Sequence, residues 1–403
     1  MAAAQLSWID LTASDRARIR QVLDLFNEQG TVDELGLGSL RDTLSNALFP
    51  GTSVLLTRIR YFLFIPWIYR GLEVAGFRGD VAAEARRLEL RLIDLLAEGE
   101  DRNGIIGIQA RASLARLASS TYWPSLVRWG IFVPGQSQGW YHTHFEALTR
   151  GRSAVGRADD PGVTWTREPT WHPRLPPEPE GFQRKVSFRL TFDEADFLRG
   201  RIEERCGGSL LAWLAREGSS DLADAPWDEP NALRTGAPIR DVLELARRFS
   251  LHVEGAPLLY NLMLAERRHT LLGNEKDAEL IERYRLALTE WAAREAAESP
   301  FRPEDLWLLV AQQGGTLPAR QRRFVETWGQ RIAQEGPEAV GADQSLRDLI
   351  HRREVDLKGK KRARMEDQGR LLDWSGSVGV GRMSFRWDRV RQLLKDLHEG
   401  LAN

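Results

Sequence analysis

Apolar residues recur at helical spacing along most of this chain. Ile19, Val22, Leu23 and Phe26 stand at i, i+3, i+4 and i+7, behind Thr12 and Ser14 as candidate caps. Ser39-Leu40-Arg41-Asp42 reads as a capping box with Asp in place of Glu, leading into Leu40, Leu44, Ala47 and Leu48. Pro50-Gly51 stops that helix. A second start at Thr52 or Ser53 leads into the most apolar run, residues 59–69, which contains Pro66 and lies between Arg58 and Arg70. It is too short to span a bilayer and reads as buried core. Residues 81–97 predict an amphipathic helix with Leu88, Leu92, Leu95 and Leu96 on its apolar face.

The texture changes over residues 104–145. Ala112 to Ala118 reads as a helix, Ser119-Ser120-Thr121 as a turn, and Tyr122 to Trp129 as a second helix with Pro124 in its first turn. Gly130 to Tyr141, with its Pro134-Gly135 turn, then reads as a two-stranded hairpin. Helix, turn, helix and hairpin is the order of a winged helix-turn-helix module. Residues 151–184 lose periodicity and gather Pro and Gly, which predicts a linker or surface loop that Trp165 and Trp171 pack down. Lys185 to Leu190 alternates like a short strand, and Thr191-Phe192-Asp193-Glu194 is a capping box. The pattern over 185–340 is helical, with stripes of Ile239, Val242, Leu243, Ala246 and Phe249, then Leu280, Tyr284, Leu288 and Trp291. Breaks are expected at Gly207-Gly208, over 226–230, over 255–257 and at Ser299-Pro300. Residues 341–403 hold a basic segment, a Gly-rich loop from Trp374 to Gly381, and a terminal helix carrying Val390, Leu393, Leu394 and Leu397. The fold class expected is therefore mainly α, with a candidate winged helix-turn-helix module inside an N-terminal domain of residues 1–150 and a few short strands.

Composition adds bounds. The 403 residues are 42% hydrophobic and 28% charged, an ordinary globular balance that needs no disulfide or metal staple. Lys+Arg total 56 and Asp+Glu 57, so any surface for nucleic acid must be a local patch. A single cysteine, Cys206, fits a reducing compartment. Met1-Ala2-Ala3-Ala4-Gln5 lacks the basic and apolar regions of a secretion signal, so a cytoplasmic protein without membrane association is expected. The 14 Trp residues are read chiefly as packing, and secondarily as base-stacking platforms or partner anchors.

Three blocks carry a family resemblance: Gly30-Thr31-Val32-Asp33-Glu34-Leu35-Gly36-Leu37-Gly38 with Arg41-Asp42; Leu48-Phe49-Pro50-Gly51-Thr52-Ser53 with Thr57-Arg58-Ile59-Arg60-Tyr61-Phe62-Leu63-Phe64-Ile65-Pro66-Trp67; and Leu357-Lys358-Gly359, Trp374-Ser375-Gly376 and Phe385-Arg386-Trp387. Together they resemble a bacterial family of about this length, known as a domain of unknown function. The resemblance implies a place in anti-phage defence loci, beside helicases and phospholipase-D-like nucleases as partners. It brings no catalytic residues.

The residues themselves offer two nucleic-acid candidates. The first is the basic segment: Arg352, Arg353, Lys358, Lys360, Lys361, Arg362 and Arg364 against Glu354 and Asp356, a net of +5. Such a patch attracts phosphate and releases counterions, although a solvated charged loop has the same composition. The second is the winged-helix candidate, with Arg111, Arg116 and Arg128 and no acid from Arg102 to Phe145. There Tyr122, Ser125 and Arg128 would face a DNA groove while Trp123, Leu126 and Trp129 form core. Arg41, Arg58, Arg60 and Arg70 could make a phosphate-facing edge on a buried element, but the role expected of them is to pair with acids such as Asp33, Glu34 and Asp42, or to cap carbonyls. His142 and His144 would share a face on a strand, yet no third metal ligand is at hand, and no cofactor or metal is expected. No Ser–His–Asp elbow, deaminase HxE or phospholipase-D HxK motif is present. The leading expectation is a non-catalytic, DNA-associated defence subunit. A protein–protein adaptor for helicase or nuclease partners and an unrecognised nuclease stay open beside it.

Overall fold

The computed structural model of the protein describes residues 33–150 and 169–403. The helix expected around Ile19–Phe26, the first part of the Pro/Gly-rich segment and Trp165 lie outside the described residues.

The fold is mainly helical. In chain order the helices are α1 (Gly38–Leu48), α2 (Tyr61–Val74), α3 (Val81–Ala97), α4 (Ala118–Arg128) and α5 (Gln138–Thr149). Next come α6 (Phe192–Cys206), α7 (Leu210–Glu217), α8 (Ala237–Leu272), α9 (Glu275–Ala296) and α10 (Pro303–Gln312). The last four are α11 (Ala319–Glu335), α12 (Gln344–Lys358), α13 (Gln368–Leu372) and α14 (Trp387–Leu401). Strand structure among the described residues is one isolated antiparallel bridge, Phe132 with Trp171, so the short strands expected above do not form. Val186, Phe188 and Leu190 do alternate inward, but their backbone pairs with no ladder. Alternation reports which side is buried, not whether a partner strand exists.

The described residues fall into two compact units. One holds 33–43 and 247–383; the other holds Leu44–Ala246 and Ser384–Asn403.

In the second unit α2 is the core. Every residue from Tyr61 to Tyr69 is buried, as the apolar run predicts. Phe62 stacks on Trp129 with centroids 4.0 Å apart and planes 9° apart. The arginines beside α2 are consumed internally: Arg58 binds Asp396 at 2.9 Å and also Asp101, and Arg60 binds Glu194 at 2.7 Å. Pairing was the expected role; Arg58 and Arg60 find partners far away in sequence, Arg41 pairs with its neighbour Asp42 at 3.5 Å, and Arg70 is exposed with no ion pair among the described residues. The capping box at Thr191 and Glu194 forms with both its bonds, at 3.3 and 3.2 Å.

In the first unit α8 runs unbroken through Gly255 and Pro257, where a break was expected. Proline removes one backbone donor. In the preceding turn the indole N–H groups of Trp291 and Trp328 donate to the carbonyls of Leu251 and His252, at 2.8 and 2.9 Å. Gly255 lets Trp291 lie on the helix; a Cβ there would meet its ring at 2.6 Å. The glycine marks close approach rather than a stop. The Gly-rich loop is pinned by Asn261, whose side chain bonds both the N–H and the C=O of Val378, at 2.9 and 2.7 Å. No helix among the described residues is long and apolar enough to cross a membrane.

Candidate nucleic-acid interface

The basic segment begins inside α12 and ends in the turn after it. Asp343 starts the helix by accepting from Ser345 N and Leu346 N, at 2.7 and 3.2 Å. Gly359 ends it at φ 74°, a left-handed position that suits glycine. The chain then folds back over its own helix. Ala363 and Met365 are buried, and the amides of Arg364 and Met365 donate to the Glu354 carboxylate at 2.8 and 3.0 Å.

Glu354 is the anchor of that turn. It is fully buried and also accepts from Lys358 Nζ at 2.8 Å and from the Tyr260 hydroxyl. Burial opposes its charge, but the bonds from Lys358, Tyr260 and Met365 outweigh it and hold the carboxyl below its usual range. Tyr260 is pushed far above the ordinary phenol range, first by burial and then by the Glu354 charge. A second buried carboxylate, Glu34, accepts from Lys358 and from Arg364 at 2.9 Å. Two buried acids, two half-buried bases and a buried tyrosine thus make a cluster of balanced charge that fastens the basic turn to α8, α12 and residue 34.

Arg353 is also engaged. Its Nε donates to the Leu35 carbonyl at 2.8 Å, its Nη2 to that of Gly36 at 3.2 Å, and its guanidinium lies 5.3 Å from the Phe324 ring centre. Burial lowers its pKa, against the pull of Asp33 and Asp356.

The seven candidates therefore divide. Arg353, Lys358 and Arg364 are bound by buried acceptors. Arg352, Lys360, Lys361 and Arg362 are exposed and have no carboxylate partner among the described residues. Arg352 and Arg362 bond only backbone carbonyls of their own turn, Asp348 at 3.2 Å and Lys358 at 2.9 Å. These four cations face solvent on a backbone whose shape is set from beneath.

Arg111, Arg116 and Arg128 lie in the other unit. Arg111 pairs with Asp94, Arg116 is half-buried, and Arg128 is exposed on α4. The winged-helix arrangement expected around them is corrected. Residues 111–113 form a single 3-10 turn instead of a helix. Tyr122 is buried, with its hydroxyl bonded to the backbone of Thr57 and Arg58, and Ser125 is buried beside it. No wing forms: Ser137 caps α5 by accepting from Trp140 N at 3.1 Å, so Trp140 and Tyr141 are helical. Tyr141 instead joins Trp123, Phe132 and Trp171, with ring centres 5.4, 5.6 and 5.9 Å away. Burying four aromatic rings together outweighs a two-stranded hairpin, which is marginal alone.

His142 and His144, being helical, point to different sides: one bonds Tyr69 at 2.9 Å and the other stacks on Trp140 at 4.5 Å. Among the described residues no three His, Cys, Asp or Glu gather as metal ligands. Cys206 is buried, and its thiol is pushed up to about 11 by that burial. The described tryptophans are buried or half-buried, as the packing role expects.

A helical fold with an anchored basic turn defines the class of this protein. Its sequence matches the family of unknown function DUF6361 over residues 3–400, and the chain belongs to that family. No curated protein and no solved structure matches it.

Proposed function

We propose that this protein is a non-catalytic nucleic-acid-binding subunit that holds a phosphate backbone on the turn after α12. One observation carries the reading: Arg352 near the end of α12, and Lys360, Lys361 and Arg362 on the turn that buried Glu354 shapes, are exposed without carboxylate partners among the described residues. Fixed cations contact phosphates with less ordering cost than a mobile tail does. Arg128, exposed on α4, is a further candidate contact in the other unit. DNA is the expected ligand. The setting that the resemblance implies, an anti-phage locus with helicase or phospholipase-D-like partners, belongs to the same proposal: a DNA-holding subunit complements enzymes that unwind or cut.

The test is fluorescence anisotropy with labelled duplex DNA over a salt series. Each phosphate contact contributes about −0.9 to the slope of log affinity against log salt. The wild type is expected to bind at low salt, and the R352A/K360A/K361A/R362A variant to lose up to about 3.6 of that slope. Equal slopes for the two proteins, or no binding by the wild type, would overturn the reading.

A further inference from the structure

A second basic stretch lies at the start of α11, where Arg320, Arg322 and Arg323 are exposed and no acid occurs from Leu306 to Val325. It stands more than thirty residues before the turn after α12 in sequence. In the fold the start of α11 and the helix α12 that leads into that turn both meet residues 35–36. Gln321 Nε2 donates to the Gly36 carbonyl at 2.6 Å, and Arg353 donates to the same oxygen at 3.2 Å. Leu357 closes on Gly36 from α12, so that a Cβ there would meet its Cδ2 at 2.9 Å.

The helical period sorts the three arginines. Arg322 pairs with Glu326 at 2.8 Å and lies over the Trp307 ring, which commits it to the α10 side. Arg320 stands four residues before Phe324, on one face with it, and Arg323 is its neighbour in the turn. Phe324 is the ring that Arg353 of α12 covers. Arg320 therefore flanks the α12 side, and Arg323, one turn on from it, faces outward beside it; both are exposed and make no ion pair among the described residues.

We propose that Arg320 and Arg323 form one phosphate-binding surface with Arg352, Lys360, Lys361 and Arg362, fastened through the Gly36 carbonyl, so that the nucleic-acid backbone is gripped from two helices. This rests on the nucleic-acid reading above and extends it to residues outside the basic segment. Two separated groups of cations hold a strand in a direction, which a single turn does not. Asp33 and Asp356 are the acids facing Arg353 in this region; Asp33 is occupied by the amides of Leu37 and Gly38, at 2.6 and 2.8 Å.

The experiment uses the full chain, labelled duplex DNA and the same salt series. R320A/R323A is expected to lose about 1.8 of slope. Between about 50 and 200 mM salt the wild-type affinity then falls about 12-fold further than the variant's. R320K/R323K keeps the wild-type slope, because it keeps both charges. R322A, which removes a cation already paired, leaves the slope in place. Circular dichroism confirms that each variant is folded. If the wild type binds and the turn variant loses slope while R320A/R323A does not, this extension fails alone. If the wild type does not bind, the nucleic-acid reading fails and takes the extension with it. Loss of slope in R320K/R323K equal to that in R320A/R323A would also overturn it, since charge would then not be what acts.

Discussion

Replacing Glu354 by Ala removes the carboxylate on which the basic turn is built. Four donors converge on it: Lys358 Nζ, the Tyr260 hydroxyl, and the amides of Arg364 and Met365. Removing one partner of a buried ion pair costs about 3–5 kcal/mol. Lys358 keeps Glu34 and is 20% exposed, which moves the cost down. Two orphaned backbone amides move it up by about 1 kcal/mol or more each. The net expectation is about 4 kcal/mol. For a unit of roughly 150 residues that is a drop in melting temperature of about 8–16 °C. Calorimetry reads the drop, and limited trypsin digestion reads the turn, because Lys360, Lys361 and Arg362 become cleavable once it loosens. The pH dependence has a defined sign. The folded carboxyl lies below its usual range, so its contribution is present at neutral pH and lost as pH falls through the folded value. A Glu354→Ala melt within about 2 °C of wild type, or trypsin rates unchanged, would refute the idea that this carboxylate shapes the turn.

Other expectations concern sites elsewhere. Gly36→Ala places a Cβ 2.7 Å from Arg353 Nη2 at φ 66°, and should cost about 1–3 kcal/mol or more in chemical denaturation; an unchanged midpoint would remove the close approach as the reason for glycine. Trp129→Ala empties the space under Phe62 and leaves the Pro50 carbonyl only the weak Cys206 thiol donor, and should cost about 3–5 kcal/mol by the same measurement. Glu89 is buried against the start of α4, accepts from Ser119 N at 2.9 Å, and is raised to about 7 by that burial. A raised carboxyl binds its proton more tightly in the fold, so stability falls as pH rises from the usual 4.5 to about 7. The span is about 3 kcal/mol. Glu89→Gln should flatten that part of the stability–pH curve, and a curve of unchanged steepness would contradict it.

How much of this was legible in the sequence differs by element. The α2 core, the Thr191 capping box and the α14 helix with its apolar face are local patterns, and they appear where the pattern puts them. The helix through Gly255 and Pro257 was hidden because the glycine seats the ring of Trp291, a residue far along the chain, rather than ending the helix. The missing wing was hidden because Trp171, about thirty residues downstream, recruits Phe132 and Tyr141 into one aromatic cluster. α1 shows the same limit: Asp33, not Ser39, takes the amides of Leu37 and Gly38 before it. The basic segment was visible as charge. Its division into bound and free cations was not, because Glu34 lies more than three hundred residues from Lys358 and Arg364. Arg320 and Arg323 were visible only as part of an ordinary charged helix start.

The central claim is that one group of these cations holds the turn and another faces a ligand. The direct measurement compares R352A/K360A/K361A/R362A with Lys358→Met, recording both melting temperature and the salt slope of DNA binding. The account predicts that the fourfold variant melts within about 2 °C of wild type and loses up to about 3.6 of slope. Lys358→Met should melt several degrees lower while losing less than about 0.9 of slope. The reverse pattern, with a destabilised fourfold variant and the slope lost through Lys358, would contradict the account.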